Sequence, residues 1–190
     1  MKNLSGTSLS GTSVTRERIK DDYYATPKAS TKALLEVENF EGNIFEPCCG
    51  QGHISEVLKM YGYSVYSNDL VNRGYGETFK NFLTDDFQLF DNIITNPPFK
   101  YAKEFILRAL DISNKKVAMF CKIQLLEGVQ RQEMFKNTPL KTVYVFTKRQ
   151  NPLRNGSEYD ENGKKWASTM CFAWFVWDKS YEGLPQIKWI

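Results

Sequence analysis

Residues 43–52 read NIFEPCCGQG, a short apolar run that leads into a turn with two glycines. The apolar run predicts a first buried strand, and the residues after the turn have helical spacing. Gly50 and Gly52 allow the backbone of the turn to approach a ligand without obstruction by side chains. The N-terminus of the next helix adds free N–H groups at the same place. This strand–turn–helix unit therefore predicts a binding site at the end of the first strand.

Patterns typical of strands and helices alternate from Tyr23 onward, which predicts a doubly wound α/β sheet. Thr26 before Pro27 is a typical helix start, with a hydroxyl N-cap and a proline at the first helical position. Glu127 and Arg131 are four residues apart and support the last helix. The predicted helices cover about 26–37, 54–61, 102–110 and 125–136. The predicted strands cover about 43–46, 63–68, 79–83, 91–95, 117–123, 143–147 and 171–177.

Length and charge limit the organisation of the chain. Its 190 residues suffice for one domain of ordinary size. Residues 1–20 are rich in Ser, Gly and Thr and carry the whole net charge of +3, so we expect a flexible basic tail before a domain over 21–190. The other 170 residues have 21 basic and 21 acidic side chains, a balance that permits a nucleic-acid partner without indicating one.

Composition also bears on location and metal chemistry. No apolar run approaches the roughly 18 residues of a membrane span, and the N-terminus lacks the apolar core of a signal peptide. The four cysteines include no C-x-x-C pair, and there is one histidine. We therefore expect a cytoplasmic protein with reduced thiols, no membrane contact and no metal site.

A carboxylate follows the second predicted strand and narrows the choice of ligand. Asp69 lies 19 residues after Gly50. An acidic residue at the end of this strand can accept hydrogen bonds from both hydroxyls of a ribose, which predicts an adenosine-type ligand. Ser55 stands at the third glycine position of the G-x-G-x-x-G pattern, and no Lys-Ser/Thr pair follows, so neither a dinucleotide fingerprint nor a P-loop is present.

The most specific motif is Asn96-Pro97-Pro98-Phe99, which follows a buried strand. Two consecutive prolines fix a stiff, extended loop at the carboxyl end of that strand. The amide oxygen of Asn96 and the carbonyl of Pro97 can accept both hydrogens of a planar amine, which directs the nitrogen lone pair toward an electrophile. Phe99 can stack on the face of a base. This motif predicts methylation of an aryl amine.

Residues 43–52 and 91–99 together resemble the first and fourth motifs of the class I S-adenosylmethionine-dependent amino-methyltransferases of the N6-adenine type. Residues 23–27, Tyr-Tyr-Ala-Thr-Pro, are similar to the family's short motif that closes over the methionine end of the cofactor. The C-terminal part resembles small stand-alone methyltransferases often encoded by bacteriophages. The stretches that carry this last resemblance are Leu125–Gly128 with Arg131, Val143–Phe146 with Lys148 and Arg149, Trp174–Trp177, and Ile187–Ile190.

The resemblance implies a fold and a cofactor. The fold would be a single Rossmann-like class I methyltransferase domain, with a mostly parallel seven-stranded sheet and an antiparallel C-terminal strand. S-adenosylmethionine would be held at its amino group by Glu46, at its ribose by Asp69, and at its adenine by Asn81, where the family usually has an acidic residue. The full set implied for the cofactor is Tyr24, Thr26, Pro27, Glu46, Pro47, Cys48, Gly50, Gly52, Asp69, Asn81, Phe82 and Asn96; the catalytic set is Asn96, Pro97, Pro98 and Phe99.

The expected reaction is methylation of the N6 amine of adenine in DNA, in a bacterial or phage-infected cell. The chain has no room for a separate target-recognition domain, so we expect loops 71–78 and 150–168 and the tail to contact the substrate. The candidate nucleic-acid-binding residues are Lys148, Arg149, Arg154, Lys164, Lys165 and Trp166. The alternatives are methylation of adenine in ribosomal or transfer RNA, methylation of a protein glutamine, and a non-catalytic binding module. The target sequence and the oligomeric state stay open.

Overall fold

A computed structural model of the chain describes residues 23–154, 156–157, 159, 162–164 and 170–190. The predicted tail over 1–20 and part of the segment 150–168 lie outside these residues. The helices are α1 (Lys28–Leu35), α2 (His53–Met60), α3 (Ala102–Ile112) and α4 (Val129–Lys136). The strands are β1 (Tyr24–Ala25), β2 (Ile44–Glu46), β3 (Val65–Ser67), β4 (Phe90–Thr95), β5 (Ser113–Lys122), β6 (Leu140–Val145), β7 (Leu153–Arg154), β8 (Phe172–Asp178) and β9 (Gln186–Trp189).

Seven of these strands form one sheet in the order β3-β2-β4-β5-β8-β6-β9. β8 is antiparallel to both of its neighbours, β5 and β6, and the other pairs are parallel. The predicted α/β domain with a mostly parallel seven-stranded sheet and an antiparallel strand near the C-terminus is confirmed. The chain goes from β2 to β3 on one side of β2. It then crosses to β4 on the other side, so the direction in which strands are added reverses at β2. Open α/β sheets bind ligands at the carboxyl ends of the strands beside such a reversal.

The centre of the sheet is buried on both faces. All seven residues of β8 are buried, and Trp174, Phe175 and Trp177 are completely inaccessible to solvent. The indole N–H of Trp174 donates to the carbonyl of Ser30 at 2.8 Å, and that of Trp177 donates to the hydroxyl of Thr138 at 3.0 Å. The aromatic residues of β8 are therefore core residues, and each buried indole has the hydrogen-bond acceptor that its N–H needs.

The seven strands are not the seven that the sequence predicts. No strand forms over 79–83; Thr78 makes one isolated bridge with Asn68, and residues 82–84 form a turn. The missing strand is replaced at the opposite edge by β9, which pairs in parallel with β6 and was not predicted. All four residues of β9 are exposed, although its sequence, Gln-Ile-Lys-Trp, alternates polar and apolar residues, a strand pattern that the prediction did not use.

Two predicted helix features are wrong. The helix over 26–37 begins at Lys28 with Pro27 as its N-cap, so the hydroxyl of Thr26 does not cap it. The helix over 125–136 is interrupted at Gly128, whose φ of 114° is outside the helical range, and only α4 remains helical beyond a short 3-10 turn. The Nε of Arg131 donates to the backbone carbonyl of Glu127 at 2.6 Å instead of pairing with its carboxylate.

Candidate active site

A cavity of about 630 Å³ lies at the carboxyl ends of β2, β3 and β4. Its volume is within the range of roughly 300–1,000 Å³ that is usual for cofactor and small-molecule sites. The cavity brings together side chains that are far apart in the sequence: Glu46 from the end of β2, Asp69 after β3, and Asn96 after β4. The other predicted site residues in its lining are Tyr24, Thr26, Pro47, Cys48, Asn81, Phe82 and Pro98.

Glu46 is the most deeply buried acid in the cavity wall, with 1% of its surface exposed. Its Oε2 accepts hydrogen bonds from the backbone N–H and the hydroxyl of Ser55 in the first turn of α2. The same hydroxyl lies 2.7 Å from that of Ser67 in β3. Burial raises the pKa of Glu46 to about 8, although the hydrogen bonds from Ser55 act in the opposite direction. A ligand cation beside Oε1, which receives no hydrogen bond within the described residues, would favour the ionised form.

Asp69 joins the glycine turn to the loop that follows β3. Its Oδ2 accepts the backbone N–H of Gly50 at 2.8 Å, and its Oδ1 accepts the N–H of Val71 at 2.9 Å and a guanidinium N–H of Arg73 at 3.1 Å. The guanidinium of Arg73 also lies 4.4 Å from the centre of the Tyr23 ring, a cation–π contact. Arg73 and Tyr23 thus cover Asp69 from the side of the cavity mouth.

Asn81 and Phe82 lie on the wall where adenine contacts were predicted. The Oδ1 of Asn81 accepts the N–H of Leu83 at 3.0 Å, which stabilises the turn over 82–84. Phe82 is 2% exposed and packs on Phe45 and Phe105, with ring centres 5.9 and 5.0 Å apart. The turn holds this wall of the cavity in place of the predicted strand.

Asn68 connects the two sides of the cavity and was not identified from the sequence. Its Nδ2 donates to the carbonyls of Pro47 at 3.2 Å and Lys80 at 3.0 Å. Its Oδ1 accepts from the hydroxyl of Thr78 at 2.8 Å and the N–H of Lys80 at 2.9 Å. Asn68 is fully buried, and its amide therefore fixes the loop after β2 against the segment that leads to Asn81.

The side chain of Asn96 is held by residues just before α1. Its Nδ2 donates to the backbone carbonyl of Tyr24 at 2.7 Å and contacts the hydroxyl oxygen of Thr26 at 3.0 Å. Both partners lie in the stretch that resembles a cofactor-closing motif. The loop after β4 and the segment 23–27 therefore form one wall of the cavity.

Phe99 packs beside the cavity and does not line it. Its ring stacks on Tyr24 with centres 5.6 Å apart, lies 5.7 Å from Phe172, and has the Nζ of Lys122 at 4.3 Å from its centre. Contact between Phe99 and a target base would require Tyr24 or Lys122 to move. The Phe and Tyr residues that do line the cavity are Tyr23, Tyr24, Phe82, Tyr101 and Phe105.

Burial favours the neutral forms of the two thiols and the imidazole at the cavity. Burial, followed by the negative charge of Asp69, raises the pKa of the Cys48 thiol, and burial raises that of Cys49. His53 lines the cavity, and burial lowers its pKa, which favours the neutral ring. The described part of the chain has no group of three or more His, Cys, Asp and Glu side chains that could hold a metal ion.

Three solved structures share this fold at low sequence identity. A protein from Vibrio vulnificus, assigned as a modification subunit of a type I restriction enzyme, is 14% identical, with a TM-score of 0.59 over 88% of this chain. A protein from Pyrococcus horikoshii, assigned as an RNA methyltransferase, is 15% identical, with a TM-score of 0.61 over 90% of this chain and 95% of its own. Magnesium protoporphyrin IX methyltransferase from Synechocystis, solved with S-adenosylmethionine, is 11% identical, with a TM-score of 0.54 over 80% of this chain and 77% of its own.

The chain has a Rossmann-like methyltransferase fold. It spans 47% of the length of the Vibrio subunit. Comparison with protein-family models and with curated proteins gives no match to the sequence.

The accessible charged side chains around the cavity are basic. Arg73, Lys80 and Lys100 line it with at least part of their side chains accessible, whereas the two lining acids, Glu46 and Asp69, are buried. The sequence placed Arg73 in loop 71–78, which was expected to contact the substrate, but did not indicate Lys80 or Lys100, because nothing in their spacing shows that the fold brings them to the cavity of Asn96. The available signal was position along the chain: Arg73 follows the second predicted strand, Lys80 lies in the third, and Lys100 follows the fourth.

The predicted nucleic-acid residues lie in the segment after β6. Lys148, Arg149 and Lys164 are exposed and do not line the cavity, while Lys165, Trp166 and the side chain of Arg154 lie outside the described residues. The start of the segment is attached to the rest of the fold: Gln150 accepts a hydrogen bond from Ser30 at 2.9 Å, and β7 pairs with β1. No helix among the described residues has the length and apolar character needed to cross a membrane.

Proposed function

We propose that this protein transfers a methyl group from S-adenosylmethionine to the exocyclic N6 amine of adenine in DNA. The observation that carries the proposal is the single cavity that joins Glu46 and Asp69 to the amide of Asn96. Two carboxylates and a planar amide at neighbouring strand ends suit a donor with an ammonium and a ribose on one side and an amine acceptor on the other.

The lining of the cavity fits the chemical groups of the cofactor. Glu46 can accept from an ammonium at Oε1, because its hydrogen bonds with Ser55 use Oε2. Asp69 can accept from ribose hydroxyls, since a carboxylate has about four lone-pair sites and the described partners use three. Phe82 offers an apolar surface for the adenine ring. S-adenosylmethionine supplies a methyl group on a sulfonium, which an amine nitrogen takes while the S–CH₃ electron pair stays on sulfur and the surplus amine proton leaves to water.

The chain's own contribution to the reaction is made by the loop after β4. The Oδ1 of Asn96 and the carbonyl oxygen of Pro97 accept hydrogen bonds from the two N–H groups of the target amine. The lone pair of the amine nitrogen is then directed away from these two oxygens. Positive charge that develops on the nitrogen is stabilised by the same two oxygens. No thiol participates, because burial keeps Cys48 and Cys49 protonated.

Charge at the cavity mouth supports a nucleic-acid substrate. The accessible charged side chains in the lining, Arg73, Lys80 and Lys100, are all basic, and a strand of nucleic acid presents a phosphate at every nucleotide. A base must leave its stack before an exocyclic amine can enter a cavity of this kind. Tyr24 and Tyr101, which line the cavity near Asn96, can stack on such a base.

The proposal is tested by incubating the purified protein with isotope-labelled S-adenosylmethionine and nucleic acid from a host that lacks adenine methylases. Mass spectrometry of digested nucleosides should show labelled N6-methyladenine in DNA. Asn96→Ala should retain cofactor binding in calorimetry and lose transfer, whereas Asn137→Ala, an exposed residue at the end of α4, should behave as the wild type. If label appeared only in RNA, the substrate would be RNA instead of DNA. If the protein bound the cofactor but labelled neither nucleic acid, the proposal would be overturned.

A further inference from the structure

We propose that Thr26 is a positioning residue that, with the carbonyl of Tyr24, orients the amide of Asn96 for catalysis. This inference rests on the proposed function, because it concerns how Asn96 presents its oxygen to the target amine. The geometry behind it is independent of the substrate: the Nδ2 of Asn96 is 2.7 Å from the Tyr24 carbonyl oxygen and 3.0 Å from the Thr26 Oγ1.

The side-chain amide of asparagine has an accepting oxygen at one end and a donating nitrogen at the other, and only one orientation of the amide serves the reaction. The oxygen accepts, whereas the nitrogen donates two N–H bonds. If the amide of Asn96 were rotated by 180°, two acceptor oxygens would face each other near Tyr24, since a backbone carbonyl has no proton to give. The Tyr24 carbonyl therefore selects the orientation in which Oδ1 is presented to an amine in the cavity.

Thr26 completes this selection by accepting a hydrogen bond from the second N–H. Thr26 is 2% exposed, so water has little access to this contact. The hydroxyl is not engaged as a helix cap, because α1 uses Pro27 as its N-cap without a side-chain hydrogen bond. With both N–H bonds of Nδ2 directed to Tyr24 and Thr26, the accepting oxygen is the remaining polar atom of the Asn96 amide.

Strand pairing holds this pair of acceptors in place. Tyr24 and Ala25 form β1, which pairs in antiparallel register with Leu153 and Arg154 of β7. The ring of Tyr24 also stacks on Phe99 at 5.6 Å. The backbone carbonyl that faces Asn96 is therefore fixed by contacts on both sides, one from the segment after β6 and one from the loop after β4.

The amide itself can be observed without any substrate by ¹H–¹⁵N NMR. The two Nδ2 protons of Asn96 are assigned by their loss in Asn96→Ala. We expect both to exchange with water at least about tenfold more slowly than those of exposed Asn72, because both are hydrogen-bonded. Thr26→Val should accelerate the exchange of one proton severalfold, and Thr26→Ser should restore it. A matched control is Thr31→Val, since Thr31 is buried in α1 and its hydroxyl has no hydrogen-bond partner among the residues that the structure describes.

Transfer kinetics separate positioning from a merely structural role. With Thr26→Val, kcat should fall about tenfold, as for the loss of one hydrogen bond in the transition state, while KM and the Kd of S-adenosylmethionine stay within about twofold. Thr26→Ser should recover most of kcat, and Thr31→Val should leave it unchanged.

The two readouts distinguish failure of this inference from failure of the proposed function. Fast exchange of the Asn96 protons in the wild type, or exchange unaffected by Thr26→Val, would overturn the positioning role whatever the activity. Slow exchange that Thr26→Val accelerates, in a protein that methylates neither DNA nor RNA, would retain the orientation of the amide and overturn the proposed reaction.

Discussion

The ionisation of Glu46 predicts that cofactor binding strengthens as pH rises toward 8. Burial raises the pKa of this carboxyl to about 8, so Glu46 is mostly protonated at neutral pH. The amino group of S-adenosylmethionine is expected to contact Glu46, and an ammonium binds a carboxylate much more strongly than a carboxylic acid. Binding must therefore remove the proton from Glu46, and the affinity depends on the fraction that is ionised.

The magnitude follows from the pKa. With a pKa of about 8, about 1% of Glu46 is ionised at pH 6 and about 10% at pH 7, and the Kd should fall by about tenfold, or about 1.4 kcal/mol, over this interval. The protein alone should show the opposite trend in stability. Because the native state keeps a proton that the unfolded chain loses above its usual pKa of 4.5, the stabilisation is complete below that pH and is lost up to about pH 8. The free energy of unfolding should fall by about 1.4 kcal/mol per pH unit from this group.

Calorimetric titration with S-adenosylmethionine at several pH values between 6 and 7 measures the first trend, and urea unfolding measures the second. Glu46→Gln should remove both slopes and weaken binding at every pH. Glu41→Gln, at an exposed carboxylate paired loosely with Lys115, should keep both. A Kd independent of pH in the wild type, or a slope that persists in Glu46→Gln, would refute the assignment of Glu46 as the partner of the cofactor's amino group.

Three other perturbations follow from contacts around the cavity. Asp69→Asn should weaken cofactor binding by at least about tenfold and destabilise the fold by about 1–3 kcal/mol, as measured by calorimetry and urea unfolding. The reason is that Gly50 and Arg73 donate to different oxygens of the carboxylate, whereas an amide has only one oxygen. Asn68→Ala should cost about 2–4 kcal/mol in urea unfolding, since it leaves several buried backbone groups unpaired. Lys100→Gln should lower the slope of log K against log salt for DNA binding by about one, whereas Lys115→Gln, near the start of β5 and away from the carboxyl ends of the parallel strands, should not; fluorescence anisotropy measures both.

The sequence predicted the fold where hydrophobic pattern and turn chemistry agree. The NIFE strand and the strand before Asn96 are short buried runs that end at clear turn residues, glycine in the first case and proline in the second. Their order along the chain predicts which strand ends meet. The pattern failed to predict β9, because its alternation of polar and apolar residues covers only four positions, all of them exposed. It also failed over 79–83, where apolar Phe82 is buried by packing on Phe45 and Phe105 from a turn. A single buried aromatic residue can therefore produce a strand-like sequence pattern even though the backbone forms a turn.

The site was predictable for residues that belong to motifs and not for residues that the fold brings to them. Glu46, Asp69 and Asn96 stand at strand ends, which a linear pattern reveals. Asn68 acts partly through Pro47 and Arg73 partly through the ring of Tyr23, contacts that only the fold creates, and their residue types are common at surface positions. Thr26 was predicted as a helix cap because Ser and Thr before a helix usually cap it; the following proline took that position, and the hydroxyl contacts Asn96 instead.

The spacing between Gly50 and Asp69 has a structural explanation that precedes any ligand. The sequence suggested a carboxylate for a ribose, and the structure uses Oδ2 of Asp69 to accept the N–H of Gly50 at 2.8 Å. Gly50 has a φ of 54°, and a Cβ there would lie 2.4 Å from the ring of Tyr23. The turn therefore closes against β3 only with glycine at this position and an acceptor at Asp69. One carboxylate thus shapes the cavity and provides its acceptors, so substitution of Asp69 should affect folding and cofactor binding together, whereas substitution of Asn96 should affect transfer alone.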